Sequence, residues 1–191
     1  EIALGNLLEQ ILTPDQFAVN VATRPGSNER VEYAVKLPGR SDDENPVWLP
    51  IDAKFPKEDY ERLQEAADAG DADGVARAAQ QLETRIKAAA RDIHEKYVSP
   101  PATTDFALMF LPTEGLYAEV LRRTGLLEAL QRDLRVVVAG PTTIAAILNS
   151  LQMGFRTLAI EQRSSEVWKL LGAVRTEFGK FGDTLDKVKK K

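Results

Sequence analysis

Residues 47–55 (VWLPIDAKF) set an aspartate and a lysine inside an otherwise apolar run. A turn-rich loop (PGRSDDENP, 38–46) precedes the run and a charged, alanine-rich segment follows it. A short apolar run so bounded reads as a buried β-strand. Charge in such a strand is costly unless it has a partner or a use. Just upstream, Val31, Tyr33, Val35 and Leu37 alternate with Glu32, Ala34 and Lys36, a period of two that marks a second strand. The pair reads as a hairpin. Alternate residues on a strand share a face, so Asp52 and Lys54 project together while Ala53 faces the other way. Glu32 joins them if the hairpin register allows.

Two carboxylates and an ammonium at one sheet edge suit a hard-metal site. The acids offer oxygen ligands to Mg²⁺ or Mn²⁺, of which Mg²⁺ takes few carboxylates and keeps several waters. The lysine can position a water or stabilise charge on a phosphate oxygen. The same three residues also read as a plain surface ion pair beside a solvated acid, worth little energetically.

Composition narrows the alternatives. None of the 191 residues is cysteine, which excludes disulfides, thiolate zinc sites, iron–sulfur clusters and a cysteine nucleophile. His94 is the only histidine, so a site needing two is excluded; lying beside Glu95 and Lys96, it reads as a solvated surface residue. A net charge of −4 argues against a chain that coats nucleic acid by charge alone, but not against local contact. Phosphodiester hydrolysis by acids, a lysine and a divalent cation is chemistry this composition permits. Residues 136–155 are uncharged over a membrane-spanning length, yet they contain Gly, Pro, Asn and Gln and read as strand, turn and helix. The first residue is Glu1, not Met, and the expectation is an excised fragment.

The remaining pattern is that of a single α/β domain over 1–191. Leu4, Leu7, Leu8, Ile11 and Leu12 predict a helix over 3–12, stopped by Pro14. Residues 57–97 predict a helical hairpin inserted between strands, broken at GDADG (70–74), with Val75, Ala79, Leu82, Ile86, Ala89 and Ile93 along one seam. Strands are predicted at 105–111 and 135–139, with a helix over 116–130 between them, so these strands should be parallel. Gly140-Pro141-Thr142-Thr143 then opens a helix, with Thr expected as its N-cap. Over 160–191, Val167, Leu171, Val174, Phe178, Phe181, Leu185 and Val188 repeat at steps of four and three. That seam reads as a long C-terminal helix that covers the same chain's hairpin or joins a second copy. From Arg175 onward six basic residues meet three acidic ones, a solvated tail or a nucleic-acid contact.

Several longer segments carry a resemblance: GNLLEQIL, VEYAVKLPG, LPIDAKFP, YVSPPATTDFALMFLPTEGLYAEVL, VVVAGPTTIAAILNSLQMGFRTL and RSSEVWKLLGAVRTEFGKFG. In this order the chain resembles the RmuC family, bacterial proteins linked to DNA recombination. The resemblance implies a nuclease core of the PD-(D/E)xK type: a restriction-endonuclease-like mixed sheet flanked by helices. Asp52 and Lys54 match its (D/E)xK element. Glu32 stands where the pattern has the Asp of a Pro-Asp pair. Here the pair reads Val31-Glu32, and the extra methylene shifts the ligand by about 1.5 Å. Glu1 fits the Glu of a Trp-Gly-Glu that precedes the first helix in the family. Glu9 is the alternative, although a solvated helix charge is its simpler reading. The resemblance also implies a cytoplasmic domain, tethered to the inner membrane through an upstream segment and preceded by a coiled coil.

The expected ligand set is therefore Glu32, Asp52 and Glu1 around Mg²⁺ or Mn²⁺, with Lys54 positioning the attacking water and DNA as substrate. Lys36 and Arg40 flank the hairpin as candidate DNA-backbone contacts, and Gln152 and Arg156 as candidates on the same face. Glu114 reads as a fourth carboxylate or as a helix N-terminal charge. Thr142 and Thr143 read as a phosphate-binding helix start or as capping residues. Two other functions fit the same residues. One is a nuclease-like scaffold that binds DNA or a protein without cutting. The other is a coiled-coil assembly module, a homo-oligomer whose acids only form ion pairs.

Overall fold

The computed structural model of the protein describes residues 2–38, 46–160 and 170–171. The chain divides into two units, residues 1–148 and 149–191. The expected C-terminal seam falls almost wholly outside the described residues, as do Glu1 and Arg40.

The first unit is built on five strands: β1 (Phe17–Val21), β2 (Val31–Leu37), β3 (Val47–Ala53), β4 (Ala107–Phe110) and β5 (Val136–Ala139). They lie in sequence order across one mixed sheet. β1, β2 and β3 are antiparallel neighbours; β3, β4 and β5 run parallel. Around them stand α1 (Ile2–Ile11), α2 (Lys57–Asp68), α3 (Ala72–Tyr97), α4 (Glu114–Leu121) and α5 (Leu126–Leu134). A further helix, α6, covers 141–160 and passes into the second unit at residue 149. The fold is α/β, a mixed sheet flanked by helices, with α2 and α3 inserted between β3 and β4. Among the described residues no helix is long and apolar enough to cross a membrane.

Register decides which residues share a face. Ala34 pairs with Pro50, Asp52 with Met109, Met109 with Val138, and Ala107 with Val136. Ala34, Ala107, Met109, Val136 and Val138 form one core with Leu82, Ile86, Ala90, Ile93 and Tyr97 of α3. Those α3 residues recur at steps of three and four, the stripe a helix needs to lie flat on a sheet. The other face carries Tyr33, Ile51, Leu108 and Val137 in register. There α1 comes close: a Cβ added at Gly5 would lie 2.6 Å from the Tyr33 hydroxyl oxygen. Only glycine lets the helix backbone approach that side chain.

Local signals explain the helix ends. Asp71 caps α3 by accepting from the Gly74 amide at 2.9 Å, and Thr113 caps α4 by accepting from Leu116 at 3.2 Å. Two expectations are corrected, and one strand was not foreseen. The continuous helix over 116–130 is two helices, because Gly125 adopts a left-handed conformation (φ 76°) at the start of α5. The N-cap of α6 is not a threonine: the helix begins at Pro141, whose fixed φ suits a first helical position, so Gly140 precedes it. β1 carries no strand signal in the sequence reading and is a strand nonetheless.

Candidate functional site

The register of the hairpin runs from Leu37–Val47 to Tyr33–Ile51. One further step along it sets Glu32 opposite Asp52. Directly opposed residues on antiparallel strands project to the same side, with Cβ atoms about 4.5–5.5 Å apart. The Lys54 amide donates to the Phe110 carbonyl at 2.9 Å, so the β3–β4 ladder runs one residue beyond the end of β3. That keeps Lys54 extended and on the side of Asp52. Its Nζ lies 2.7 Å from Asp52 Oδ2. The structure thus brings Glu32, Asp52 and Lys54 together on the face that α3 covers.

Exposure separates their roles. Asp52 is 2% exposed, whereas the Lys54 side chain is 38% exposed. The carboxylate is inside and the ammonium reaches solvent. Burial raises the Asp52 carboxyl above its ordinary range, against the pull of the Lys54 hydrogen bond and charge and of Lys96, and with a smaller push from Asp92. Desolvation outweighs pairing here. Glu32 is half-buried on β2.

The end of α3 closes over this group, and sequence reasoning missed it. Tyr97 is pushed up to about 12, first by its own burial and then by the charges of Asp52, Glu29, Glu32 and Asp92. Its phenol therefore stays neutral throughout the range in which the carboxylates titrate. Thr23 Oγ1 donates to the Tyr97 carbonyl at 2.9 Å, and Arg24 donates to the Glu95 carbonyl at 2.6 Å. These bonds fasten the loop after β1 to the last turn of α3. The available signal was the stripe Ile86, Ala90, Ile93, Tyr97, whose final member is an aromatic with a polar tip. The helix also corrects the reading of His94, which is half-buried with a buried Nδ1 that has no hydrogen-bond partner.

The other candidate residues lie elsewhere. Lys36 stands opposite Trp48 in the hairpin, with Nζ 5.8 Å from the ring centroid. Four residues along β2 separate it from Glu32, about 13 Å. Glu9 is exposed on α1, the helix that packs on the Tyr33 face. Glu114 accepts a hydrogen bond from the Thr142 amide at 2.6 Å, and that bond holds its carboxyl below the ordinary range. The helix start that reads as a phosphate seat thus already holds a carboxylate; Thr143 is the next residue of the same turn. Gln152 and Arg156 belong to the second unit.

Position on the sheet supports a site here. Ala53, Phe110 and Ala139 are aligned where the three parallel strands end. Lys54, Glu114 and Thr142 all follow those ends, the edge where open α/β sheets bind ligands. Beside Lys54 opens a cavity of about 330 Å³, lined also by Phe55, Lys57, Arg85 and Ile86. Among the described residues no three His, Cys, Asp or Glu side chains group closely enough to hold a metal ion. The Glu32–Asp52 pair is an all-oxygen donor set of two carboxylates, which fits the few-carboxylate preference of Mg²⁺.

Comparison with known proteins places the chain. Two proteins named DNA recombination protein RmuC homolog, from Xylella fastidiosa strains Temecula1 (ATCC 700964) and 9a5c, are each 62% identical over 190 residues. Each match covers 100% of this chain and 42% of the relative, so the chain spans less than half the length of these proteins. No solved structure matches significantly. The RmuC family profile matches residues 1–191, and the chain belongs to the RmuC family.

Proposed function

We propose that this chain is the hydrolytic domain of a DNA recombination protein, cutting DNA phosphodiesters with Mg²⁺ or Mn²⁺. The role in recombination follows the name carried by its 62% identical relatives. The observation that carries the hydrolytic reading is the convergence of Glu32, Asp52 and Lys54 at the carboxyl edge of the parallel strands. Glu32 and Asp52 would hold the cation, with Glu1 as the third carboxylate of the set. When bound, the cation supplies Lewis acidity and charge at the phosphoryl oxygens. The chain's own residues do the rest. Asp52, held in a dry setting, is paired with the Lys54 ammonium at 2.7 Å. The half-exposed Lys54 ammonium positions the attacking water and faces the developing negative charge. Tyr97 and the end of α3 keep bulk water off the carboxylates. The PD-(D/E)xK resemblance supports the same assignment.

The test is cleavage of labelled single- and double-stranded DNA with Mg²⁺, with Mn²⁺ and with chelator. The expected result is metal-dependent cutting by the parent and none by Asp52→Ala or Lys54→Ala. Cutting that survives both substitutions places the chemistry elsewhere.

A second reading, a nuclease-like scaffold that binds DNA without cutting it, has one observation in its favour. Lys54 already neutralises the buried Asp52 at 2.7 Å, as a structural ion pair would. DNA retained by both the parent and Asp52→Ala, with no cleavage under either metal, selects it.

A further inference from the structure

The cavity beside Lys54 does not end there. It shares Asp59 and Arg85 with a second, larger cavity of about 520 Å³, lined by Arg77, Gln80, Gln81 and Thr84. Together they form one groove along α2 and α3, from Lys54 and Phe55 to Arg77. Arg77 to Ala89 on α3 covers about 18 Å at the rise of a helix. We propose that this groove is the track of a single nucleic-acid strand, which it delivers to Lys54. The inference rests on the hydrolytic reading of Glu32, Asp52 and Lys54, whose substrate path it specifies.

The chemistry of the lining carries the argument. The chain is acidic overall, yet Lys54, Lys57, Arg77 and Arg85 line this groove against two acids, Glu58 and Asp59. Asp59 is buried and holds Arg62 at 3.1 Å and Arg85 at 3.5 Å. It ties α2 to α3 and fixes the Arg85 guanidinium at the groove. Two of the cations have only weak acidic neighbours: Arg77 lies 3.8 Å from Asp71, and Lys57 lies 3.4 Å from Glu61. Arg77 and Asp71 are both exposed, and exposed pairs contribute little; Arg85 meets the buried Asp59 through Nε, so a phosphate can take its Nη groups without breaking that contact. A phosphate can therefore take these guanidiniums at small cost, in the bidentate geometry arginine favours. The side-chain amides of Gln80 and Gln81 add neutral donors between the charges.

Phe55 decides the strandedness. It follows Lys54 directly, lines the groove and is 47% exposed. An apolar ring left open beside cations is the platform on which an unpaired base stacks. Paired bases keep their faces inside a duplex and cannot use it. A basic track with an aromatic step at the reactive end is the pattern of single-strand binding.

The test is fluorescence anisotropy of a labelled single-stranded oligonucleotide with the whole chain, in chelator so that no cleavage occurs, across a salt series. Arg77→Ala with Arg85→Ala should weaken binding and flatten the log K against log salt slope by about 1.4, two phosphate contacts on a single strand. Phe55→Ala should weaken binding ~5- to 150-fold, the loss of one stacked base. Arg132→Ala, on α5 and paired with its neighbour Asp133, should leave binding unchanged; circular dichroism confirms folding of each variant. Groove variants that bind like the parent overturn the proposal, as does a parent that prefers duplex of the same sequence. If the groove variants lose affinity while the parent never cleaves with metal, the groove stands and the hydrolytic reading falls. If they keep affinity while cleavage proceeds, the reverse holds.

Discussion

Asp52, near the end of β3, and Lys54, just beyond it, touch at 2.7 Å across a steep change in environment, with the carboxylate buried and the ammonium reaching solvent. Burial dominates, and the Asp52 carboxyl is raised. A carboxyl whose folded pKa exceeds its unfolded value favours the native state most when protonated. Its contribution is fully present below the ordinary pKa of 3.8 and is lost as pH rises through the folded value. Above that folded value the ionised Asp52 is therefore a destabilising group. Asp52→Asn should raise the melting temperature at pH 7, and the difference should shrink as pH falls toward the ordinary carboxylate range. A variant that melts below the parent at pH 7 would show that the Lys54 pairing outweighs burial.

Glu114 carries the opposite sign. Its carboxyl is lowered by the Thr142 amide, so its contribution is present above its ordinary value of 4.5 and lost as pH falls through the lower, folded value. Glu114→Gln should lower the melting temperature at pH 7, with the gap closing on acidification. Amide hydrogen exchange at Thr142 should quicken in the variant. Unchanged exchange there would show that the helix start does not depend on this carboxylate.

Gly5 and Tyr33 make a packing prediction on the other face of the sheet. A Cβ at position 5 would meet the Tyr33 hydroxyl oxygen at 2.6 Å. Gly5→Ala should destabilise by about 1–3 kcal/mol, the usual cost of overpacking. Tyr33→Phe removes the clashing oxygen, so the double variant should be more stable than the sum of the singles predicts, by about 1 kcal/mol. Strict additivity in denaturant unfolding would mean that α1 can slide.

The readable parts of this fold are those in which burial writes a period. The alternation in β2 and the apolar run in β3 gave the hairpin, and its observed register brings Glu32 level with Asp52. The α3 stripe gave the inserted hairpin for the same reason. β1 was not legible because it is an edge strand with mostly half-exposed side chains, and Asn20 leaves the extended region at φ 51°. The break before α5 rests on one glycine whose positive φ cannot be told from an ordinary helical glycine in sequence. In the site, the charged triplet was legible because charge inside an apolar strand is anomalous. Tyr97, Asp92 and Lys96 were not, because they reach Asp52 only through the packing of α3 on the sheet. Glu114 and Thr142 were each legible as candidates, but the bond between them was not, because it spans 28 residues of sequence.

The hydrolytic reading requires that Glu32 and Asp52 hold a divalent cation between them, and Mn²⁺ can be located directly by its anomalous scattering in soaked crystals. The expected result is a peak within about 2.1 Å of a carboxylate oxygen of each residue, with Lys54 swung away from Asp52, and no peak in Asp52→Ala. Saturating Mn²⁺ that leaves the pair bare, with Lys54 still on Asp52, would contradict it.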